Sequence, residues 1–214
     1  MESILKIMTA VSAVLTLSVL IWQIVRTLGF GRLPLHSPPR GSGIRGILYA
    51  FGQGMMPWEK ESARKHLITY TAGFGYHFGI FSGLFYLALV VVAGFSPPYA
   101  AMFVIRILMA AGLVFGLGLL IKRSGVSAMR SISCPDDYTA NILVDAFLLL
   151  ALLDSFGLPV RIPLLIESIF MILYIPVGKI RHCFFFFYSR ILFGFFYGRR
   201  GVFPHPRTAE RDVK

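Results

Sequence analysis

Long runs with little or no charge recur five times along this chain, at about residues 4–30, 66–93, 100–121, 140–158 and 164–197. A helix needs about 20 apolar residues to traverse the hydrocarbon of a bilayer, and each run meets or nearly meets that length. A mean hydropathy of +0.72, with 56% apolar and 14% charged residues, makes lipid the natural solvent for the whole chain. The expected fold is therefore all-α: an integral membrane bundle of five transmembrane helices, with residues 1–214 forming a single membrane domain. The first run is too long, and too poor in a small-residue cleavage site, for a simple signal peptide. The last is longer than the hydrocarbon is thick and is broken by Pro176, Lys179, Arg181 and Arg190. It should tilt, kink or run on into the water.

The net charge of +11 would suggest nucleic acid in a water-soluble protein, but here the basic residues stand between the apolar runs and at their ends. They read as topology signals, with membrane lipid as the partner and no nucleic acid. Arg32, Arg40, Arg45, Lys60, Arg64 and Lys65 lie between runs one and two; Lys122, Arg123 and Arg130 between three and four; Arg199, Arg200, Arg207, Arg211 and Lys214 in the tail. The opposite loops offer only Arg161. Positive residues stay on the cytoplasmic side, so a multi-pass protein of a prokaryotic plasma (inner) membrane is expected, N-terminus outside and C-terminus cytoplasmic. Two cysteines, Cys134 and Cys183, fall short of the four thiolates an iron–sulfur cluster normally takes, and their spacing supports no disulfide.

Ionisable groups inside the apolar runs are the candidates for function. In "HLITYTAGFGYHFGIFSGLF" (66–85), His66 and His77 are eleven residues apart. On one continuous α-helix that is three turns plus about 20°, with a rise of about 16.5 Å, a placement that suits two stacked haems. His66, beside Arg64 and Lys65, has an equally plain reading as an interfacial residue. His77 lies too deep for water and needs a metal or a hydrogen-bond partner on a neighbouring helix. Gly73, one turn before His77, clears space on the same face. Gly75, Gly79 and Gly83 form a different stripe, the small-residue pattern by which membrane helices pack closely.

A bis-histidine haem takes a second ligand from another helix. In "YIPVGKIRHCFFFFYSR", His182 follows Gly178 by four residues, as His77 follows Gly73. Lys179 and Arg181 would hold haem propionates by charge-assisted hydrogen bonds, or snorkel to lipid phosphates. The phenylalanines 184–187 are core filler or face lipid.

"YHFGIFSG" in the second run, "IPVGKIRH" in the fifth and the order of five spans resemble the respiratory nitrate reductase gamma-subunit-like family of haem b membrane subunits. That family includes the related membrane anchors of sulfite-reduction and heterodisulfide-reductase-like complexes. The resemblance implies haem b on histidines of spans two and five, a quinol or menaquinol reacting near the haem, and electrons exchanged with a cytoplasmic-side iron–sulfur or flavin subunit. Residue by residue, His77 and His182 match one axial pair. A second haem would fall to His66 and His205, where the chain departs from the family: His66 precedes His77 by one residue more than expected, and His205 lies beyond "RRGVFP" in a proline-flanked tail.

Asp145, Asp154 and Glu167 could pass protons from a quinol, with interfacial solvation the plainer reading for Asp154. His36, in a polar loop, is read as structural or exposed. Two classes of function follow. One is a haem b subunit that carries electrons between the quinone pool and a membrane-associated redox partner, the electron-transfer part of a quinone-linked oxidoreductase. The other is a haem-free membrane scaffold or small transporter that uses intramembrane His, Asp and Glu for packing or proton transfer. No residue is assigned a catalytic role.

Overall fold

A computed structural model describes residues 1–30, 37–92 and 97–203. Within them the regular structure is all helical, with no strand: α1 (Glu2–Leu28), α2 (Gly43–Phe51), α3 (Glu61–Lys65), α4 (Leu67–Val92), α5 (Tyr99–Gly125), α6 (Ser127–Ser131), α7 (Pro135–Ser155), α8 (Arg161–Tyr174) and α9 (His182–Arg199). Four helices, α1, α4, α5 and α7, are long and apolar enough to cross a membrane, and a fifth crossing is counted when α8 and α9 are taken as one broken span. The chain has the make-up of a multi-pass membrane protein. Several residues read above lie outside the described ones: Arg32, His36, His205, Arg207, Arg211, Lys214 and part of the turn after the second run.

The described helices fall into two compact units, residues 1–20 with 68–181, and residues 21–67 with 182–214. In the first, side-chain contacts fix the direction of each helix. Thr69 on α4 accepts from Lys122 on α5, and the two backbones meet at Gly79 and Gly112, so these helices run antiparallel. Tyr76, Gly83 and Tyr86 of α4 meet Asn141, Leu148 and Asp154 of α7 in the same order, so those two run parallel. α1 and α8 are parallel as well, paired at Glu2–Arg161 and Thr16–Ile172. Phe147, Leu148, Ala151, Met109, Leu164 and Leu165 are fully buried at the centre.

The expected packing use of the glycine stripe is what α4 shows. A Cβ on Gly79 would stand 2.5 Å from the Cα of Gly112, one on Gly75 would enter the Phe115 ring, and one on Gly83 would touch Leu148 and Phe147. The turn from α7 to α8 uses Gly157 at φ +84°, a left-handed conformation that glycine adopts without strain.

The last apolar run is one break longer than a plain tilted span. Pro176 has no N–H to offer the carbonyl of Ile172 one turn earlier, so α8 ends at Tyr174. That carbonyl instead accepts the hydroxyl of Thr16 on α1 at 2.8 Å and the Ile175 N–H at 3.2 Å. Exposed to lipid it would cost several kcal/mol. Thr16 belongs to a buried face of α1 formed by Thr9, Ser12, Thr16 and Leu20.

In the second unit, the stretch that reads as a polar loop contains α2, capped by Ser42 and packed on α9 through glycines. Gly46 of α2 lies against Gly194 and Gly198 of α9, so close that a Cβ at any of the three would strike backbone. Such an approach is open only to glycine, which is why proline- and glycine-rich sequence here builds a helix pair. Thr27 and Tyr188 share a hydroxyl–hydroxyl bond of 2.7 Å, and Phe51 packs on Phe186 and Phe187.

Tyr49 on α2 donates to Glu59 at 2.9 Å, and Gln53 holds the other Glu59 oxygen at 2.7 Å. Burial, then the Glu59 carboxylate, push the Tyr49 phenol up to about 12, while burial, then Arg190, hold the Lys60 ammonium below its usual value. A raised phenol favours the fold while it stays protonated. The Tyr49 contribution is therefore complete below about pH 10, the ordinary phenol value, and disappears as the pH rises through about 12. Tyrosinate absorbance of the wild type minus that of Tyr49→Phe should show one phenol titrating near the upper figure; titration near 10 would show that the Glu59 contact is not formed.

Candidate functional site

Polar side chains of the first unit gather at three levels. At one end Asp154, whose side chain is 2% exposed, accepts both contacts of Arg161 Nε at 2.8 Å and the Tyr86 hydroxyl at 2.6 Å. Glu2 lies 3.8 Å from Arg161, and Arg106 donates to the hydroxyl and carbonyl oxygens of Ser155. At the other end Asp137 meets Lys179 at 2.7 Å and Arg123 at 3.2 Å, and Arg123 also reaches Ser133. Asp137 and Asp154 are seventeen positions apart on α7, about 25 Å, a little less than the hydrocarbon thickness. Asp154 is thus at a helix end, as expected, but it is buried in an ion pair rather than solvated.

Removing one partner from such a pair leaves a buried charge unmatched, which costs about 3–5 kcal/mol. Arg161 is 35% exposed, so Arg161→Ala should fall near the low end of that range in denaturation of the detergent-solubilised protein. Adding Asp154→Asn should restore part of the loss. Equal stability of wild type and Arg161→Ala would show that water already compensates the carboxylate.

Between the ends, at mid-depth, lies a third group. Asn141 Nδ2 donates to Asp145 Oδ2 at 2.9 Å, to the Tyr76 hydroxyl at 3.2 Å and to the Gly116 carbonyl at 3.4 Å. Asp145 is 5% exposed, and its Oδ1 is buried with no hydrogen-bond partner. Both oxygens of Glu167 on α8 are likewise buried without a partner. Tyr76 and Asn141 escape a reading based on histidines and carboxylates, though Asp137, Asn141 and Asp145 at spacings of four mark one polar face of α7. Arg106, hidden in the middle of an apolar run, escapes it too.

His77 is at the same level, eight residues from Thr69 and nine from Tyr86 on α4, and its side chain is exposed on the outside of the unit. Its Nδ1 lies 2.7 Å from the Gly73 carbonyl. A carbonyl only accepts, so Nδ1 carries the proton and Nε2 the lone pair, the tautomer in which histidine ligates metals through Nε2. Nothing stands within 4 Å of a Cβ built on Gly73, so the clearance expected there is present. The imidazole thus presents Nε2 outward beside an open glycine surface.

The other expected site residues are placed differently. His66 caps the end of α3 with φ −130°, outside the helix that begins at Leu67. The eleven-residue phase argument requires one continuous helix through both histidines, and the break at His66 removes it. His66 is exposed, as its interfacial reading holds. Gly178 is not one turn before His182 on a common helix, because α9 starts at His182 and a turn with a short 3-10 segment, Lys179–Arg181, intervenes. The space beside Gly178 is filled by the Tyr174 ring. Lys179 is engaged with Asp137, and Arg181 and His182 are exposed. Cys134 and Cys183 are both free thiols. Among the described residues no three His, Cys, Asp or Glu side chains come together to hold a metal ion by themselves.

Set against family models, curated proteins and solved structures, the chain matches none.

Proposed function

We propose that the protein is a haem b-carrying membrane subunit that passes electrons between the quinone pool and a membrane-associated redox partner. The observation that carries this reading is His77: an imidazole at mid-depth on an outward face, its Nδ1–H tied to the Gly73 carbonyl, beside an open glycine surface. An ionisable side chain at this depth is a candidate for function, and in that tautomer the imidazole offers Nε2 as a ligand. Haem b, when bound, supplies a one-electron carrier. The chain's own part is to present Nε2 of His77, with His182 as the second axial residue on the sequence argument and Arg181 and Lys179 as the cations for propionates. Lys179 would have to exchange Asp137 for a propionate to do so.

Quinol or menaquinol is the proposed small-molecule partner. An iron–sulfur or flavin subunit on the cytoplasmic face is the proposed protein partner, since this chain has too few cysteines to hold a cluster itself. The corresponding location is a prokaryotic plasma membrane with the C-terminus inside. A dithionite-reduced minus oxidised spectrum of the purified protein tests the proposal: a haem b absorbance with low-spin character is expected. A haem-free protein from haem-replete cells would favour the second reading, a membrane scaffold or transporter, for which the partnerless buried oxygens of Asp145 and Glu167 are the specific support.

A further inference from the structure

We infer that Asp145 is a proton-binding site in the middle of the first unit, reached along α7 from the Asp137 end and closed toward the Asp154 end. The inference goes beyond the electron-carrying reading and stands on different residues. Asp137, Asn141 and Asp145 succeed one another every four residues, so they form a ladder along one face of α7 about 12 Å long. Its foot is wet: Lys179, the partner of Asp137, is 49% exposed. Its middle rung is an amide, whose Nδ2 reaches Asp145, Tyr76 and the Gly116 carbonyl together. The Tyr76 hydroxyl donates at 3.4 Å to the main-chain carbonyl of Asn141.

Its top is a carboxyl with one oxygen satisfied by Asn141 and the other, Oδ1, pressed against Gly116 of α5 without a donor. Beyond it, toward the Asp154 end, Phe147, Leu148 and Ala151 are all 0% exposed, and α7 carries no polar side chain for two turns. The charges around Asp145 leave it without a counter-ion. From α4 it meets the Tyr76 phenol. From α5 it meets glycine, while Lys122 and Arg123 are engaged at the foot by Thr69, Ser133 and Asp137. On α7 the next acid is Asp137, already matched by Lys179 and Arg123. The acid of α8, Glu167, makes no hydrogen bond to Asp145 or to any other group. An ionised carboxylate met only by a neutral amide and a neutral phenol at this depth is far costlier than the neutral acid. The Tyr76 phenol beside Asp145 gives its proton to the carboxylate, its own O–H breaking as the new one forms, and regains a proton from a hydronium ion entering from the Asp137 end, which leaves water.

The full chain in phospholipid nanodiscs tests this at neutral pH. Infrared spectra should show a carboxylic-acid carbonyl band that shifts in heavy water and is lost in Asp145→Asn, with Glu167→Gln as the background that removes the other buried acid. Wild-type protein treated with dicyclohexylcarbodiimide, which adds to protonated carboxyls in apolar surroundings, should carry its N-acylurea on Asp145 by peptide mass spectrometry; this needs no variant to fold. Tyr76→Phe should slow hydrogen–deuterium exchange of the band by about tenfold or more, the loss expected when a positioned proton donor is removed. A band that survives Asp145→Asn, an Asp145 that the carbodiimide leaves unlabelled, or exchange at the wild-type rate in Tyr76→Phe would each overturn the inference. Haem absorbance read on the same samples bears on the electron-carrying proposal alone, so the two fail separately.

Discussion

Leucine at Gly79 is expected to disrupt the first unit, whereas leucine at Gly118 should be close to neutral. The two glycines lie on neighbouring helices and receive the same new side chain, but only one has a neighbour in the way. A Cβ on Gly79 would stand 2.5 Å from Gly112 Cα and 2.9 Å from the Leu108 carbonyl, and backbone cannot rotate aside as a side chain can. Nothing lies within 4 Å of a Cβ on Gly118, which faces outward. Extra methylenes in a filled core cost about 1–3 kcal/mol, and a whole leucine between two backbones should cost more. Proteins have only about 5–15 kcal/mol of stability to lose. Gly75 and Gly83 flank Gly79 on the same stripe, so α4 cannot tilt away from α5 without loosening its contacts to Phe115, Phe147 and Leu148. Size-exclusion profiles and thermal scans in detergent would measure the contrast. Equal melting of Gly79→Leu and Gly118→Leu would show that α4 and α5 are not in backbone contact.

Replacing His77 by alanine should abolish the low-spin haem b signal while leaving the protein folded. The imidazole is exposed, and its bond to Gly73 lies within its own helix, so its removal opens no cavity in the core. Surface changes of that kind usually move stability by less than about 0.5 kcal/mol. Haem loss with normal yield and helicity would therefore mark ligation rather than misfolding. His182→Ala should have the same spectroscopic effect if the two are the axial pair, and His66→Ala should spare at least one haem. Full haem content and an unchanged spectrum in His77→Ala would sink the assignment and leave the histidine to packing or proton transfer.

Much of this architecture is legible in the sequence because lipid leaves a chain few choices. A run of twenty apolar residues in a bilayer has to satisfy its own backbone, so it is helical wherever its neighbours are. The helices α1, α4, α5 and α7 follow from that rule alone, and so does the glycine stripe of α4, since small residues at spacings of four have one common use between membrane helices. The depth of His77 is legible in the same way, by counting residues from the charged ends. Helix phase carries no further than the helix itself, however. His66 and His77 are eleven apart in sequence but not on one helix, and Gly178 and His182 are four apart without sharing a turn of α-helix. Local breaks at His66 and at Pro176 interrupt patterns that look continuous when letters are counted.

The polar contacts across helices were decided by tertiary structure. That Asn141 serves Tyr76 and Asp145, that Arg106 reaches Ser155 and that Thr16 takes up the carbonyl freed by Pro176 depends on which faces meet. A helical period says which residues share a face but not which face another helix will cover. The sequence by itself determined that the chain is helical, apolar and suited to cross a membrane several times, because each of those is a property of one segment and its solvent. Only the packed structure decided where its buried charges find partners and where single oxygens, Asp145 Oδ1 and both of Glu167, find none, because a partner is a property of two segments brought together.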